Sequence, residues 1–410
     1  VRPFIGGEIE ERDLAAMAAE AYATFRHPAV APLRELSPDL FVLELFHGPT
    51  LAFKDVAMQL LSRLMDHVLR KRGARVTIVG ATSGDTGGAA VEAFRGRENV
   101  DLFILFPKGR VSAFQQRQMT TAGAANVHAL AVDGTFDDCQ TIVKALFNNQ
   151  PFRDRFGLAA INSINWARIV AQAVYYFTAA VALGAPGRKV SFTVPTGNFG
   201  DVFAGYVAKR MGLPIDKLVV ATNSNDIVAR TLDTGRYELR PVIATASPSM
   251  DIQISSNFER LLFEATGRDS AAVLRLMGDL VRTGSFELGG EPLAKMRDDF
   301  AAGRADEAET AETIHDTYAR TGFLPDPHTA VGLFVASKNR KAGVPMVALA
   351  TAHPAKFPDA VRSAAGIEPA LPAGFDSLLG AREEFTKVAN DAKAIEAFIA
   401  DHVRRVSEKV

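Results

Sequence analysis

The sequence predicts an α/β chain of two lobes, each a mostly parallel sheet flanked by helices. Three observations predict it. Short runs rich in β-branched residues and Leu, at 41–46, 76–81, 101–106, 127–132, 190–195, 218–223 and 346–351, read as buried parallel strands. Between them, segments such as 56–71, 112–121, 136–149 and 166–183 carry apolar residues three and four apart, the spacing of one helix face. This alternation calls for parallel strands joined by right-handed crossovers. Finally, 410 residues at about 150 per domain suggest two or three domains. From about 255 to 320 the strand signals give way to helical patterns at 258–266 and 271–281, read as helical decoration. The Gly- and Pro-rich segment 184–187 precedes the second strand group, and the lobes are expected to meet near 150–190.

Composition narrows the function classes. Apolar residues make up 48% of the chain, ample for a large core. Lys and Arg number 46 against 47 Asp and Glu, a formal charge of −1, so no global field favours nucleic acid or an anionic membrane. The single cysteine, Cys139, excludes an internal disulfide and a thiolate metal cage and fits a reducing compartment. The most apolar stretch, 174–185, is shorter than the ~18 to 20 residues that span a bilayer, so a soluble, cytoplasmic protein is expected. The chain opens with Val1, not Met, and a leading piece is expected to be missing.

Five stretches carry candidate chemistry. In His47-Gly48-Pro49-Thr50-Leu51-Ala52-Phe53-Lys54-Asp55, a turn leads from a strand into a helix with Lys54 in its first turn. The helix dipole and the apolar Leu51, Ala52 and Phe53 both favour a neutral, nucleophilic amine, which imine chemistry requires. The alternative is a lysine snorkelling to solvent while Asp55 serves the helix start. Gly80-Ala81-Thr82-Ser83-Gly84-Asp85-Thr86-Gly87-Gly88 leaves a strand and opens a helix. Its N–H groups and the hydroxyls of Thr82, Ser83 and Thr86 suit an anion, although a plain tight strand-to-helix turn explains the glycines equally. It has neither a Walker lysine nor the dinucleotide spacing, which argues against an ATPase or an NAD enzyme.

Pro195-Thr196-Gly197-Asn198-Phe199-Gly200-Asp201 repeats the strand, glycine-bounded loop and helix, with Asn198 adding a side-chain donor for a phosphate. Asn162-Ser163-Ile164-Asn165-Trp166-Ala167-Arg168 suits an oxyanion, or else Ser163 or Asn165 caps a helix with Arg168 on its solvated face. At Leu349-Ala350-Thr351-Ala352-His353-Pro354-Ala355-Lys356-Phe357, Thr351 or His353 stands at the carboxyl edge of a strand. Asp326-Pro327-His328-Thr329 reads as a helix-start turn capped by Asp326 or Thr329. No hydrolase elbow and no metal-ligand spacing appears in the sequence. Two anion loops plus a helix-start lysine call for a ligand set with two separate anionic groups.

In this order, the motifs at 47–55, 80–87, 162–165, 195–200 and 350–357, spread over about 310 residues, closely resemble threonine synthases of the longer bacterial and fungal form. That family normally carries additional residues before the position of Val1. The resemblance implies the tryptophan-synthase-like fold type II of pyridoxal 5'-phosphate enzymes, with the cofactor between two α/β lobes. It implies a larger cofactor-binding lobe of residues 1–55 and 161–380, with the helical insertion, a smaller lobe of 56–160 and a C-terminal helical segment of 381–410. Lys54 would form the imine with the cofactor, Gly197, Asn198, Phe199 and Gly200 would hold its phosphate, and Thr351 would meet its pyridine nitrogen. Asp85 would lie near its phenolic oxygen, where related enzymes often place Asn. Thr82, Ser83, Gly84 and Thr86 would take the substrate carboxylate, and Asn162, Ser163 and Arg168 the substrate phosphate.

The implied reaction is that of a carbon–oxygen lyase acting on phosphates. O-phospho-L-homoserine and water give L-threonine and phosphate by γ-elimination and β-replacement. The implied partner is that small molecule alone, without nucleic acid, membrane or metal, and the implied state is a monomer, with a dimer as the alternative. Two rivals remain: a β-eliminating dehydratase or phospho-lyase on the same fold, with less use for Arg168, and a non-catalytic binding module, against which Lys54 argues.

Overall fold

The computed structural model describes residues 1–404. The chain forms two units, one of Val1–Phe4, His27–His47 and Trp166–Ala370, the other of Ile5–Arg26, Gly48–Asn165 and the residues from Leu371 on. Residues 5–26 and 48–55, expected in the larger lobe, belong to the smaller unit, as do 161–165 and the residues from Leu371 on. Helix Glu11–Tyr22 packs on helix Lys54–Arg72. The Tyr22 hydroxyl donates to the Val56 carbonyl at 3.3 Å and Arg63 pairs with Glu20 at 3.0 Å. Strand Thr386–Val388 adds in parallel to Val127–Val132, which carries the C-terminal segment into the smaller unit. The 184–187 segment, expected near the boundary, instead connects a helix and a strand inside the larger unit.

In the larger unit six strands run in the order Leu33–Ser37, Leu40–Glu44, Met346–Ala350, Val190–Pro195, Ile215–Thr222 and Phe300–Arg304. The first pair is antiparallel and all others are parallel. Val190–Pro195 is buried at every position, as a strand covered on both faces must be. The parallel register sets Ala348 between Val42 and Thr193, so the chain leaves neighbouring strands at one edge, at Thr196 and Thr351. Two strands lie in the stretch read as purely helical, Ser285–Glu287 and Phe300–Arg304. The second is Phe-Ala-Ala-Gly-Arg, poor in β-branched residues, and it pairs with Leu218–Thr222 through contacts about 80 residues apart. The helices there, Phe258–Ala265 and Ser270–Thr283, fall where the periodicity predicts them.

In the smaller unit five parallel strands run in the order Thr386–Val388, Val127–Val132, Val100–Pro107, Val76–Ala81 and Leu158–Ala159. Val79, Phe103, Leu130 and Val132 form one core with Ile142 and Leu146 of helix Phe136–Asn148 and Ile395 and Ile399 of helix Ala392–His402. Val76–Ala81 ends at the loop that opens helix Asp85–Phe94, again at a carboxyl edge. Among the described residues, no helix is long and apolar enough to cross a membrane.

Candidate active site

Lys54 begins its helix and is 9% exposed, so its amine does not snorkel to solvent. The preceding turn is fastened from several sides. Asp55 accepts from the Thr50 N–H at 2.8 Å and the Thr50 hydroxyl at 2.6 Å, and Gln118 donates to the Thr50 carbonyl at 3.0 Å. Arg26 donates to the Gly48 carbonyl at 2.5 Å, its guanidinium 4.2 Å from the Phe375 ring. Leu51 adopts a left-handed backbone with φ of 62°, and it and Ala52 are buried.

The Lys54 ammonium pairs with Asp85 at 3.3 Å. A carboxylate thus faces the amine, in addition to the helix start and the apolar neighbours expected from the sequence. Asp85 also accepts from the Gln115 amide at 2.9 Å. Gly84 has φ of 144°, and a Cβ there would lie 2.4 Å from the Gln115 Cδ, so only glycine fits this turn. The Thr82 hydroxyl accepts from the N–H groups of Gly84 at 3.0 Å and Gly87 at 2.9 Å, which shapes the loop from within. Ser83 is exposed and Thr86 half-buried. The smaller unit thus brings Lys54, Thr82, Gly84 and Asp85 together.

In the larger unit the 196–199 loop opens helix Gly200–Arg210. A Cβ on Gly197 would come 2.8 Å from the Ser249 carbonyl oxygen, so the close approach of segment 247–250 requires glycine. Phe199 takes φ of 62° and is wedged against Phe258 and Phe300, with ring centroids at 5.5 and 5.6 Å. Among the described residues, no acceptor meets the N–H groups of Asn198, Phe199 and Gly200. Unmet donors at the start of an eleven-residue helix are the donor set a phosphate takes. The loop therefore fits the phosphate of a cofactor. Thr351 is buried at the end of the adjacent strand. His353 accepts from the Ala355 N–H at 3.2 Å and caps the turn after it.

Arg168, in the first turn of helix Trp166–Ala182, is 4% exposed and not on a solvated face. Burial pulls its guanidinium down to about 10, which leaves it charged at neutral pH. Asn162 is exposed and Ser163 half-buried, and both belong to the smaller unit whereas Arg168 belongs to the larger. Farther along the Arg168 helix, Tyr175 and Tyr176 donate their hydroxyls to Asp201, the latter at 3.0 Å. Burial pushes the Asp201 carboxyl up to about 6, although the two hydroxyls pull it down. Gln115, Gln118, Tyr175, Ser255 and Asn257 were not singled out from sequence; Gln115, Gln118 and Tyr175 lie on helices, and Ser255 and Asn257 lie in a loop that carries no local signal.

A family model described as pyridoxal-phosphate dependent enzyme matches residues 25–284, and one described as threonine synthase, C-terminal, matches 329–399. A threonine synthase of Pseudomonas aeruginosa is 51% identical over 99% of this chain and 87% of its own length. The chain belongs to the threonine synthase family. A crystal structure of pyridoxal-phosphate-bound threonine synthase from Brucella melitensis is 61% identical, with a TM-score of 0.97 over 99% of this chain and 87% of that one. The yeast threonine synthase structure gives 41% and 0.90 over 96% of this chain and 85% of that one. The fold is accordingly that of fold type II pyridoxal phosphate enzymes, and pyridoxal 5'-phosphate is the cofactor of this threonine synthase family member.

Proposed function

We propose that the chain converts O-phospho-L-homoserine and water to L-threonine and phosphate. The observation that carries the reading is the buried Lys54 amine, in a chain similar over nearly its whole length to threonine synthases. When bound, pyridoxal phosphate supplies an aldehyde that condenses with amines and a conjugated ring that absorbs the charge left by a departing α-proton. The N–H groups of Gly197, Asn198, Phe199 and Gly200 would hold its phosphate, and Thr351 would offer a hydroxyl to its pyridine nitrogen. A neutral partner there would leave the ring less protonated than a carboxylate would. Asp85 would lie near its phenolic oxygen.

Lys54 Nζ would anchor the cofactor and, as a free amine, would take up the substrate α-proton. Thr82, Ser83, Gly84 and Thr86 orient the substrate carboxylate, and Arg168, with Asn162 and Ser163, binds its phosphate. In the net reaction phosphate leaves Cγ and water adds at Cβ. A charged, buried Arg168 favours this over a dehydratase, whose substrate has no phosphate. Incubating the holoenzyme with O-phosphohomoserine tests the reading: threonine supports it, whereas 2-oxobutyrate supports the β-eliminating alternative. Persistence of the visible imine band in Lys54→Ala would overturn the assignment of the amine. We further propose a cytoplasmic monomer, consistent with a buried, free Cys139; light scattering on the purified protein tests the monomer.

A further inference from the structure

We propose that Ser255 and Asn257 are positioning residues that aim the N–H groups of the 197–200 loop at the cofactor phosphate. The inference rests on the reading of that loop as the phosphate site. It starts from the planar trans peptide, in which the C=O of one residue and the N–H of the next point in opposite directions. A group that holds the carbonyl therefore sets the direction of the following N–H. The Ser255 hydroxyl donates to the Gly197 carbonyl at 2.7 Å, which turns the Asn198 N–H to the far side. The Asn198 carbonyl receives two donors, the Asn257 backbone N–H at 3.1 Å and its side-chain amide at 3.0 Å, which turns the Phe199 N–H away likewise.

These two N–H groups are among those that meet no acceptor in the described residues. The brace is itself fixed. Arg260 Nε donates to Asn257 Oδ1 at 3.1 Å, which commits the other end of that amide to Asn198, and the Arg260 guanidinium lies 5.4 Å from the Trp166 ring. Ser255 and Asn257 are both buried, and the next residue, Phe258, packs edge-on against Phe199 and holds it in its left-handed backbone. Segment 255–258 is thus a template against which the loop is cast, and the donors are oriented before any ligand arrives.

The test is a titration of the full chain, freed of cofactor, with pyridoxal 5'-phosphate and with pyridoxal, each followed by the visible imine band at Lys54. Wild type should prefer the phosphorylated form. Ser255→Ala and Asn257→Ala should each weaken pyridoxal 5'-phosphate about tenfold, the effect of about one charge-assisted hydrogen bond. Pyridoxal should bind all proteins alike, and Ser255→Thr, which keeps the hydroxyl, should restore wild-type affinity. Unchanged pyridoxal 5'-phosphate affinity in Ser255→Ala and Asn257→Ala would overturn the proposal, as would equal weakening of both ligands, the mark of a merely structural role. If Asn257→Ala does not fold, Ser255→Ala against Ser255→Thr decides. A wild type that binds both ligands equally would overturn the phosphate reading of the loop, and the proposal with it.

Discussion

Lys54 Nζ and Asp85 Oδ2 stand 3.3 Å apart, with their side chains 11% and 5% exposed. Removing one partner of a buried ion pair costs more than the pair contributes, because the other charge stays behind. Asp85→Ala should therefore destabilise the cofactor-free protein by about 3 kcal/mol. Asp85→Asn, which keeps an oxygen acceptor for Lys54, should cost only about 1 kcal/mol. Urea midpoints of the three proteins check this; equal midpoints for the two variants would show that the charge is immaterial.

Gln115 holds the other oxygen of Asp85 at 2.9 Å, and without it that carboxylate is able to rotate away from Lys54. Gln115→Leu should lower kcat/KM about tenfold. In an Asp85→Asn background the same change should do less, a coupling of about 1 kcal/mol in a double-mutant cycle. Additive effects would mean that Gln115 acts elsewhere, for instance only by filling the space beside Gly84.

The glycine-bounded loops were legible because close packing against them constrains local sequence. Gly84 and Gly197 sit where a Cβ would strike a neighbour, and strands such as 76–81, 127–132 and 190–195 are short, mainly apolar runs that the structure reproduces residue for residue. What was missed depends on distant partners. Gln115 reaches Asp85 across 30 residues and Ser255 reaches Gly197 across 58, and nothing in either local pattern encodes the match. Phe300–Arg304 is a strand because Leu218–Thr222 offers it an edge, not because Ala-Ala-Gly prefers one. At 5–26 and from Leu371 on the units differ from the expected lobes for the same reason: helix docking and strand addition there join segments far apart in the chain.

Asp201 should give the protein a recognisable pH dependence. Its carboxyl is pushed up to about 6 in the folded chain, from 3.8 when exposed. The folded state therefore binds the proton more tightly than the unfolded state. Stability is greatest below pH 3.8 and is lost as pH rises to about 6, beyond which the loss is complete. Between pH 4.5 and 7.5 this group alone should remove about 2 kcal/mol. Asp201→Asn cannot ionise yet still accepts from Tyr175 and Tyr176, so its stability should fall less over that interval by about that amount. Parallel urea curves for both proteins at the two pH values would refute the assignment.

His328 ties the start of its own helix to segment 247–250, which packs against the 196–199 loop. Its Nδ1 meets Asp326 at 2.7 Å, and its Nε2 accepts from the Ser249 N–H at 3.3 Å, which makes Nδ1 the protonated nitrogen. Asp326 also caps helix Pro327–Asn339 through the N–H groups of His328 and Thr329. The Ser249 carbonyl in turn is the atom that leaves no room for a Cβ on Gly197. His328→Phe keeps an aromatic ring for the contact with Phe357 but takes one hydrogen-bond partner from the buried Asp326 carboxylate and from the half-buried Ser249 N–H. It should cost about 2 to 3 kcal/mol in stability and weaken cofactor binding several-fold. His328→Gln, which carries both a donor and an acceptor, should recover part of each. If the phenylalanine variant retained full cofactor affinity while losing stability, the wall formed by Ser249 would be shown to support the helix alone and not the loop.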